Sequence, residues 1–395
     1  MKNKISYGII GAGRASQLHL NALDRYSGIT VEKKIVVAKR EEQTKAFKEK
    51  YNFKNWSLNP DDLLNDDEID VIDICTPPYI HEEFIKKALY AGKHVICEKP
   101  ITGYFGNKDD KSPIGKNVTK EKMYKEILKN LEDLKKIAEN SDRKIMYAEN
   151  FIYAPAIEKA REIITKKKSR ILFMKGEESL KGSSSHVAGE WNKTGGGTFI
   201  RTGSHPLSAI IWLKKTESLA RNTKIYIKSV LADMAQITPN LSKYEHRHIA
   251  ANPNDVEDFG TVILEFSDNS RAVIIATDTL LGGSRNYVEA YCNDAVIYCK
   301  LTLSDLMTTY FLDEDNLDNV YISEMLPSKL GWNNPFIEDE FIRGYTEEMK
   351  DFMECVYYNK HPKSDFTLGI NTTKIIYASY LSAEQGKKIN INMEI

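Results

Sequence analysis

The chain has little of what marks specialised protein classes. Among its 395 residues are only five cysteines, Cys75, Cys97, Cys292, Cys299 and Cys355, with no metal-type spacing. An odd, scattered set, partly inside apolar runs, fits reduced cytosolic thiols rather than a disulfide framework. Charge of one sign is also missing. Lys and Arg total 55 against 56 for Asp and Glu, a formal net charge of -1, which argues against nucleic acid or an anionic membrane as partner. No apolar run reaches the roughly 18 residues of a membrane span. Lys2-Asn3-Lys4 precedes only a short apolar stretch and then glycines, which is not a secretory leader. No repeat or low-complexity segment is present. The expectation is a cytoplasmic globular protein, 42% hydrophobic and long enough for two domains.

What is present opens with a nucleotide-binding pattern. Ile5-Ser6-Tyr7-Gly8-Ile9-Ile10 predicts a buried strand, and a helix follows through Tyr26. Between them lies Gly11-Ala12-Gly13-Arg14-Ala15-Ser16. Gly11 permits the tight turn, and Gly13 lets the backbone approach a pyrophosphate at the helix N-terminus that Arg14 and Ala15 open. A βα turn without a ligand has the same form; the strand–turn–helix context favours a dinucleotide. The second strand, about Lys34 to Val37, lacks the acidic residue that often bonds a ribose hydroxyl. Ala38-Lys39-Arg40 stands there instead. Two cations after a small residue suit a 2′-phosphate, so NADP(H) is expected ahead of NAD(H); the alternative is a solvated basic turn.

Ile69 to Ile74 predicts a third, near-continuously apolar strand. It ends in Cys75-Thr76-Pro77-Pro78, which would lie at the nicotinamide side of the cofactor. His81 opens helix 81–91 as a surface or cofactor-edge residue. The next strand delivers Glu98-Lys99-Pro100 to the edge where open α/β sheets bind ligands. An ammonium there can hydrogen-bond a substrate oxygen. Residues 101–118 form a long loop, either a lid or a mobile surface insertion. A helix from Lys120 to Asn140 and a strand from Lys144 to Ala148 complete a domain of residues 1–150.

Glu149-Asn150-Phe151-Ile152-Tyr153 follows at the domain junction, before helix 156–166. Residues 151–395 then read as an α/β domain: strands near 170–180, 223–236, 258–267, 270–278, 284–292 and 295–299, expected as an antiparallel meander, with closing helices near 340–359 and 370–386. A glycine- and serine-rich stretch, Lys181 to Gly197, holds His186 and Trp191, which either face a sugar or pack the loop. His246-Arg247-His248 with Asp255, Glu257 and Asp258 fits no standard metal pattern and is expected as a solvated or interface loop, so no metal is assigned.

Three segments together resemble the Gfo/Idh/MocA oxidoreductase family: Gly11-Ala12-Gly13 with its helix; Cys75-Thr76-Pro77-Pro78 through Glu98-Lys99-Pro100; and Gly195-Gly196-Gly197-Thr198-Phe199-Ile200-Arg201-Thr202-Gly203-Ser204-His205. The resemblance implies a Rossmann domain, a second domain with a large, mostly antiparallel sheet, and a homodimer or homotetramer built on that sheet. It implies NAD(P)-dependent hydride transfer at a hydroxyl of a sugar, polyol or sugar acid. Lys99 takes the substrate-oxygen role and His205 the acid/base role, for which a near-neutral imidazole is suited. Gly11, Gly13, Arg14, Ala15, Ala38, Lys39, Arg40, Cys75, Thr76, Pro77, His81, Glu98 and Lys99 would meet the cofactor. Glu149, Asn150, Tyr153, His186, Trp191, Arg201, Thr202 and His205 would line the substrate site.

One departure is plain. The family often has an aspartate four residues before the histidine, and Arg201 stands there. Arginine cannot act as a base. It can bind an anionic substrate, pair with Glu149 or another acid, or signal altered chemistry. Two alternatives to net hydride transfer therefore stand: a redox-neutral sugar enzyme with retained NAD(H), and a non-catalytic dinucleotide sensor.

Overall fold

The computed structural model describes residues 4–302, 309–311, 314, 328–333 and 339–395. The N-terminal half alternates strand and helix: β1 (Ile5–Ile10), α1 (Arg14–Arg25), β2 (Val31–Val37), α2 (Glu41–Tyr51), β3 (Asn55–Ser57), α3 (Asp61–Leu64), β4 (Val71–Ile74), α4 (His81–Tyr90), β5 (His94–Glu98), α5 (Ile114–Asn117), α6 (Lys120–Glu139) and β6 (Ile145–Ala148). The six strands pair in parallel in the order β3-β2-β1-β4-β5-β6, a Rossmann sheet. Every residue of β1 and β4 is buried, as helices on both faces require. β3 has three residues and sits at the sheet edge, too short to show any periodicity in the sequence.

Residues 101–118 are tied down rather than freely extended. They strap the first half to the second. The Tyr104 N–H donates to the Tyr377 hydroxyl (2.6 Å), and the Trp191 indole N–H donates to the Tyr104 carbonyl (3.1 Å). The Gly115 N–H donates to Asp255 (2.9 Å), and a Cβ at Gly115 would lie 1.9 Å from the Asp255 carbonyl oxygen.

The second half continues with α7 (Pro155–Lys167), β7 (Ile171–Ser179), α8 (Trp191–Thr194), α9 (Ser204–Ala220), β8 (Tyr226–Ala235), β9 (Phe259–Phe266), β10 (Arg271–Thr277), β11 (Arg285–Cys292) and β12 (Val296–Lys300). Then come a small hairpin of β13 (Thr309–Phe311) and β14 (Gly331–Asn333), the helices α10 (Asp339–Ile342), α11 (Tyr345–Tyr357) and α12 (Phe366–Gln385), and β15 (Ile389–Glu394). Asp365 caps α12 by accepting from the Leu368 N–H (2.9 Å).

The large sheet runs β12-β11-β7-β10-β9-β8-β15, which corrects the expected meander. β7 inserts between β10 and β11, parallel to the first and antiparallel to the second. α9 lies against its inner face, with Leu207, Ala209, Ile210 and Leu213 fully buried. Truncating one of the larger of these to alanine costs about 2–5 kcal/mol. Gly176 on β7 makes the approach possible, since a Cβ there would meet the Pro206 Cβ at 2.8 Å. That contact sets the start of α9, and with it His205, directly over β7.

Candidate functional site

The nucleotide cradle forms where β1 meets α1. Gly11 has φ +118°, and a Cβ on it would lie 2.2 Å from the Cys75 carbonyl oxygen, so only glycine lets β1 and β4 end this close together. Gly13 is the N-cap of α1, has no side-chain cap, and would meet nothing within 4 Å of an added Cβ. A bare helix N-terminus opening on free space fits a pyrophosphate. Ser16, at the usual third-glycine position, is fully buried and donates to the Gly11 carbonyl (3.0 Å). Thr76 adds a buried hydroxyl without a partner. Lys39 and Arg40 are exposed at the end of β2.

Other residues expected at the cofactor turn inward. His81 is fully buried, with Nδ1 2.8 Å from the Pro100 carbonyl oxygen and Nε2 2.8 Å from that of Thr76. It ties the loops after β4 and β5 together, and burial lowers its pKa. Neither ring nitrogen is left for a ligand. The Cys75 thiol points to Asp73 and His19, and burial pushes it up to about 12. Glu98 accepts from the Lys99 N–H (3.0 Å) and faces His19, its Oε1 3.3 Å from Nε2.

The reacting groups meet across the two halves. The Lys99 ammonium donates to the Arg201 carbonyl. Residues Phe199–Gly203 form a π-turn leading into α9. In that register the Arg201 carbonyl looks to residue 206, a proline with no N–H to give, which leaves it open to Lys99. Glu257 anchors the same turn. Its carboxylate accepts from the N–H groups of Gly197 (2.8 Å) and Phe199 (2.9 Å) and from the Tyr380 hydroxyl (2.9 Å). Burial raises it to about 7.

His205 stacks on Phe151, with ring centroids 4.9 Å apart. Its Nδ1 lies 2.7 Å from Glu149 Oε1, and its Nε2 faces Glu178 Oε2 at 4.0 Å. A carboxylate on Nδ1 fixes the tautomer with a proton there and leaves Nε2 bare for proton transfer. Arg201 pairs with Asp278 on the strand end beyond β10. The acid it pairs with is Asp278 rather than Glu149.

Several expected substrate contacts are structural instead. Glu149 is fully buried behind His205, so it supports the imidazole rather than touching a sugar. Asn150 is buried and donates to the Arg343 carbonyl (2.8 Å). The buried Tyr153 hydroxyl sits between Asp351 (2.8 Å) and the Ser364 N–H (2.9 Å). Trp191 is buried against Tyr380, its indole N–H used by Tyr104. Thr202 donates to the Thr198 carbonyl (2.9 Å). The side chain of His186 lies outside the described set. Of the set weighed for a metal, Asp258 accepts from Ile237 (2.6 Å) and Thr238 (2.8 Å), and His246 Nε2 lies 2.7 Å from the Ala251 carbonyl oxygen. Sequence reasoning passed over Glu178 and Asp278, and expected Glu257 in a solvated or interface loop, whereas it is buried under the turn before His205. Only Glu178 left a signal, a carboxylate at the inward phase of Met174-x-Gly176-x-Glu178.

Two family models match this chain. "Oxidoreductase family, NAD-binding Rossmann fold" covers residues 5–107, and "GFO/IDH/MocA C-terminal domain" covers 170–298. An uncharacterised oxidoreductase, YrbE, of Bacillus subtilis is 34% identical over 102 residues, 26% of this chain and 29% of that one. Levoglucosan dehydrogenase of Pseudarthrobacter phenanthrenivorans is 33% identical over 104 residues, 25% of this chain and 26% of that one. The matches thus span under a third of these relatives' length. In three dimensions the likeness runs the length of the chain. GenD2 from gentamicin A biosynthesis, in complex with NAD, superposes with a TM-score of 0.79 at 19% identity, covering 99% of this chain and 97% of that one. Levoglucosan dehydrogenase with NADH and L-sorbose gives 0.72 at 17%, covering 99% and 100%. At such identities the likeness is one of fold.

Proposed function

This chain belongs to the Gfo/Idh/MocA oxidoreductase family, and from that premise we propose that it transfers a hydride between a nicotinamide cofactor and a carbinol of a sugar-like molecule. The observation that carries this reading is the Lys99 ammonium reaching the turn that holds His205. A nicotinamide bound beside Lys99 would take up or return the hydride. The residues that would hold its dinucleotide are Gly11, Gly13, Arg14 and Thr76. Lys99 binds the substrate oxygen. Bare Nε2 of His205 receives the hydroxyl proton during oxidation, while Glu149 steadies the imidazolium at Nδ1. Glu149 thereby does what the family's usual aspartate would do from position 201.

The finer readings are ours as well. NADP(H) is favoured over NAD(H), because Lys39 and Arg40 are exposed with no acidic partner among the described residues. The domains divide at 1–150 and 151–395, supported by β6 ending at Ala148 and β7 beginning at Ile171. The outer face of the large sheet exposes Leu172, Leu231, Ile263, Val296 and Tyr298, which supports a homo-oligomer through that face. Light scattering of the purified protein tests that point, and a monomer at micromolar concentration would sink it.

The deciding assay follows nicotinamide absorbance with NAD and NADP across polyols, aldoses and sugar acids. Turnover with at least one sugar-like alcohol is expected. Tight cofactor binding with no turnover across the panel would overturn the proposal. Faster turnover with NAD at equal concentration would overturn the NADP preference alone.

A further inference from the structure

The inner face of the large sheet holds two buried acceptor atoms that lack donors. On β7, Met174, Gly176 and Glu178 face α9, since alternate strand residues share a side and Gly176 abuts Pro206. Asn286 on β11 stands opposite Glu178 in the antiparallel pair, so the two side chains leave the same face. They are 5% and 3% exposed. Glu178 Oε2 and Asn286 Oδ1 nevertheless have no hydrogen-bond partner. Leaving a buried acceptor unpaired costs about 1–3 kcal/mol, and two such atoms on neighbouring strands call for an explanation. Both want a donor.

The same Oε2 lies 4.0 Å from His205 Nε2. That is too far for a direct hydrogen bond, but one hydroxyl oxygen can sit within reach of both atoms. Burial pushes the Glu178 carboxyl upward despite His205, Arg343 and Lys99 nearby, as expected of a carboxylate short of donors. Arg201, the cation in the turn before His205, is paired with Asp278.

We propose that Glu178, with Asn286 beside it, is the specificity-determining acceptor pair of the cleft, binding substrate hydroxyls next to the carbinol that His205 serves and selecting neutral polyols over sugar acids. The inference rests on the hydride-transfer reading and narrows its substrate class. A carboxylate at this wall would set acceptor against acceptor in a dry site. A neutral polyol supplies the missing donors.

The test separates binding from turnover. NADPH fluorescence of the binary complex reports binding of myo-inositol, D-glucose and D-glucuronate to wild type and to Glu178→Gln. Wild type is expected to prefer a neutral ligand over glucuronate by about tenfold or more, the scale of one buried charge-assisted hydrogen bond. Glu178→Gln keeps the shape but brings a donor amide, so the neutral-to-acid ratio should fall several-fold, with NADPH affinity within about twofold of wild type. An unchanged ratio overturns the proposal, as does wild type preferring glucuronate or binding none of the three. If Glu178→Gln does not fold, Asn286→Ala decides by the same ratio. Turnover with an unchanged ratio removes the Glu178 role and leaves hydride transfer standing. A changed ratio without any turnover does the reverse.

Discussion

Each half of the molecule buries an imidazole against carboxylates, and the two are used differently. In the Rossmann half, His19 has Nδ1 2.8 Å from Asp73 and Nε2 3.3 Å from Glu98 Oε1. Burial works to lower its pKa, but Asp73 and Cys75 outweigh that and raise it. The Tyr7 hydroxyl completes the cluster, 2.5 Å from Asp73. Nδ1 bonds Asp73 and Nε2 is in ion-pair contact with Glu98, so the ring is a charged clamp. In the second half, His205 engages one nitrogen with Glu149 and leaves the other facing a gap before Glu178. Proton transfer needs that unspent atom. Burial and a carboxylate neighbour are common to both rings, and the open nitrogen distinguishes them.

The sharpest way to break this comparison is to replace each ring with asparagine. His205→Asn should lower kcat by about 10²- to 10⁴-fold, the usual worth of a positioned acid/base group, and should also lose stability because Glu149 stays buried. His19→Asn should lose stability alone. It leaves Asp73 buried without its cation, at a cost of about 3–5 kcal/mol, while the folded fraction keeps its kcat. Similar rate losses in both variants would erase the distinction.

Arg201 comes next in expected size. Arg201→Met abandons the buried Asp278, so unfolding should be easier by about 3 kcal/mol, and Asp278→Asn in the same chain should restore part of that. KM for a neutral polyol should move little. A large KM rise confined to acidic substrates would return Arg201 to the role of anion receptor. Glu149→Gln removes the imidazolium's partner while keeping its shape. It should cost about 10- to 100-fold in kcat with KM held, as for an orienting group. At the cofactor, Lys39→Ala with Arg40→Ala should weaken NADPH about tenfold and NADH far less, read by fluorescence titration.

How much of this the amino-acid order revealed differs between the halves for a physical reason. β1, the Gly11 turn and the strand before Lys99 were legible because a parallel sheet imposes local rules: apolar runs, a glycine where φ is positive, strand then helix. In the second half the strand spans were close, but their order was not. β7 slots between β10 and β11 through pairings about a hundred residues apart, which no local pattern encodes. Site residues failed in the same way. Tyr153 and Trp191 look like sugar binders in a linear chain, yet each spends its polar atom on a distant partner, Asp351 and Tyr104. Glu149 stands at the junction in the linear chain, but its partner lies 56 residues away, so its place behind His205 exists only in three dimensions.

The smallest effect has the most exact sign. Glu98 and Glu178 are carboxylates near the two imidazoles, and their pKa values move in opposite directions. Burial opposes ionisation of Glu98, but the His19 hydrogen bond and charge win and hold it at about 2 against an ordinary 4.5. The folded state therefore gains stability from ionised Glu98 above pH 4.5 and loses it as the pH falls toward 2. Glu178 is raised by burial, so its folded form keeps a proton longer than the unfolded chain. Its ionisation costs stability as the pH rises past the ordinary carboxylate range. Each glutamine variant removes one of these slopes. Relative to wild type, Glu98→Gln should lose melting temperature near neutral pH and regain it in acid. Glu178→Gln should gain most near neutral pH and little in acid. Differences of about 1–2 °C are expected, the scale of 1 kcal/mol in a chain this large. Two variants with slopes of the same sign would mean that the two imidazoles treat their carboxylates alike, and the contrast between clamp and catalyst would not hold.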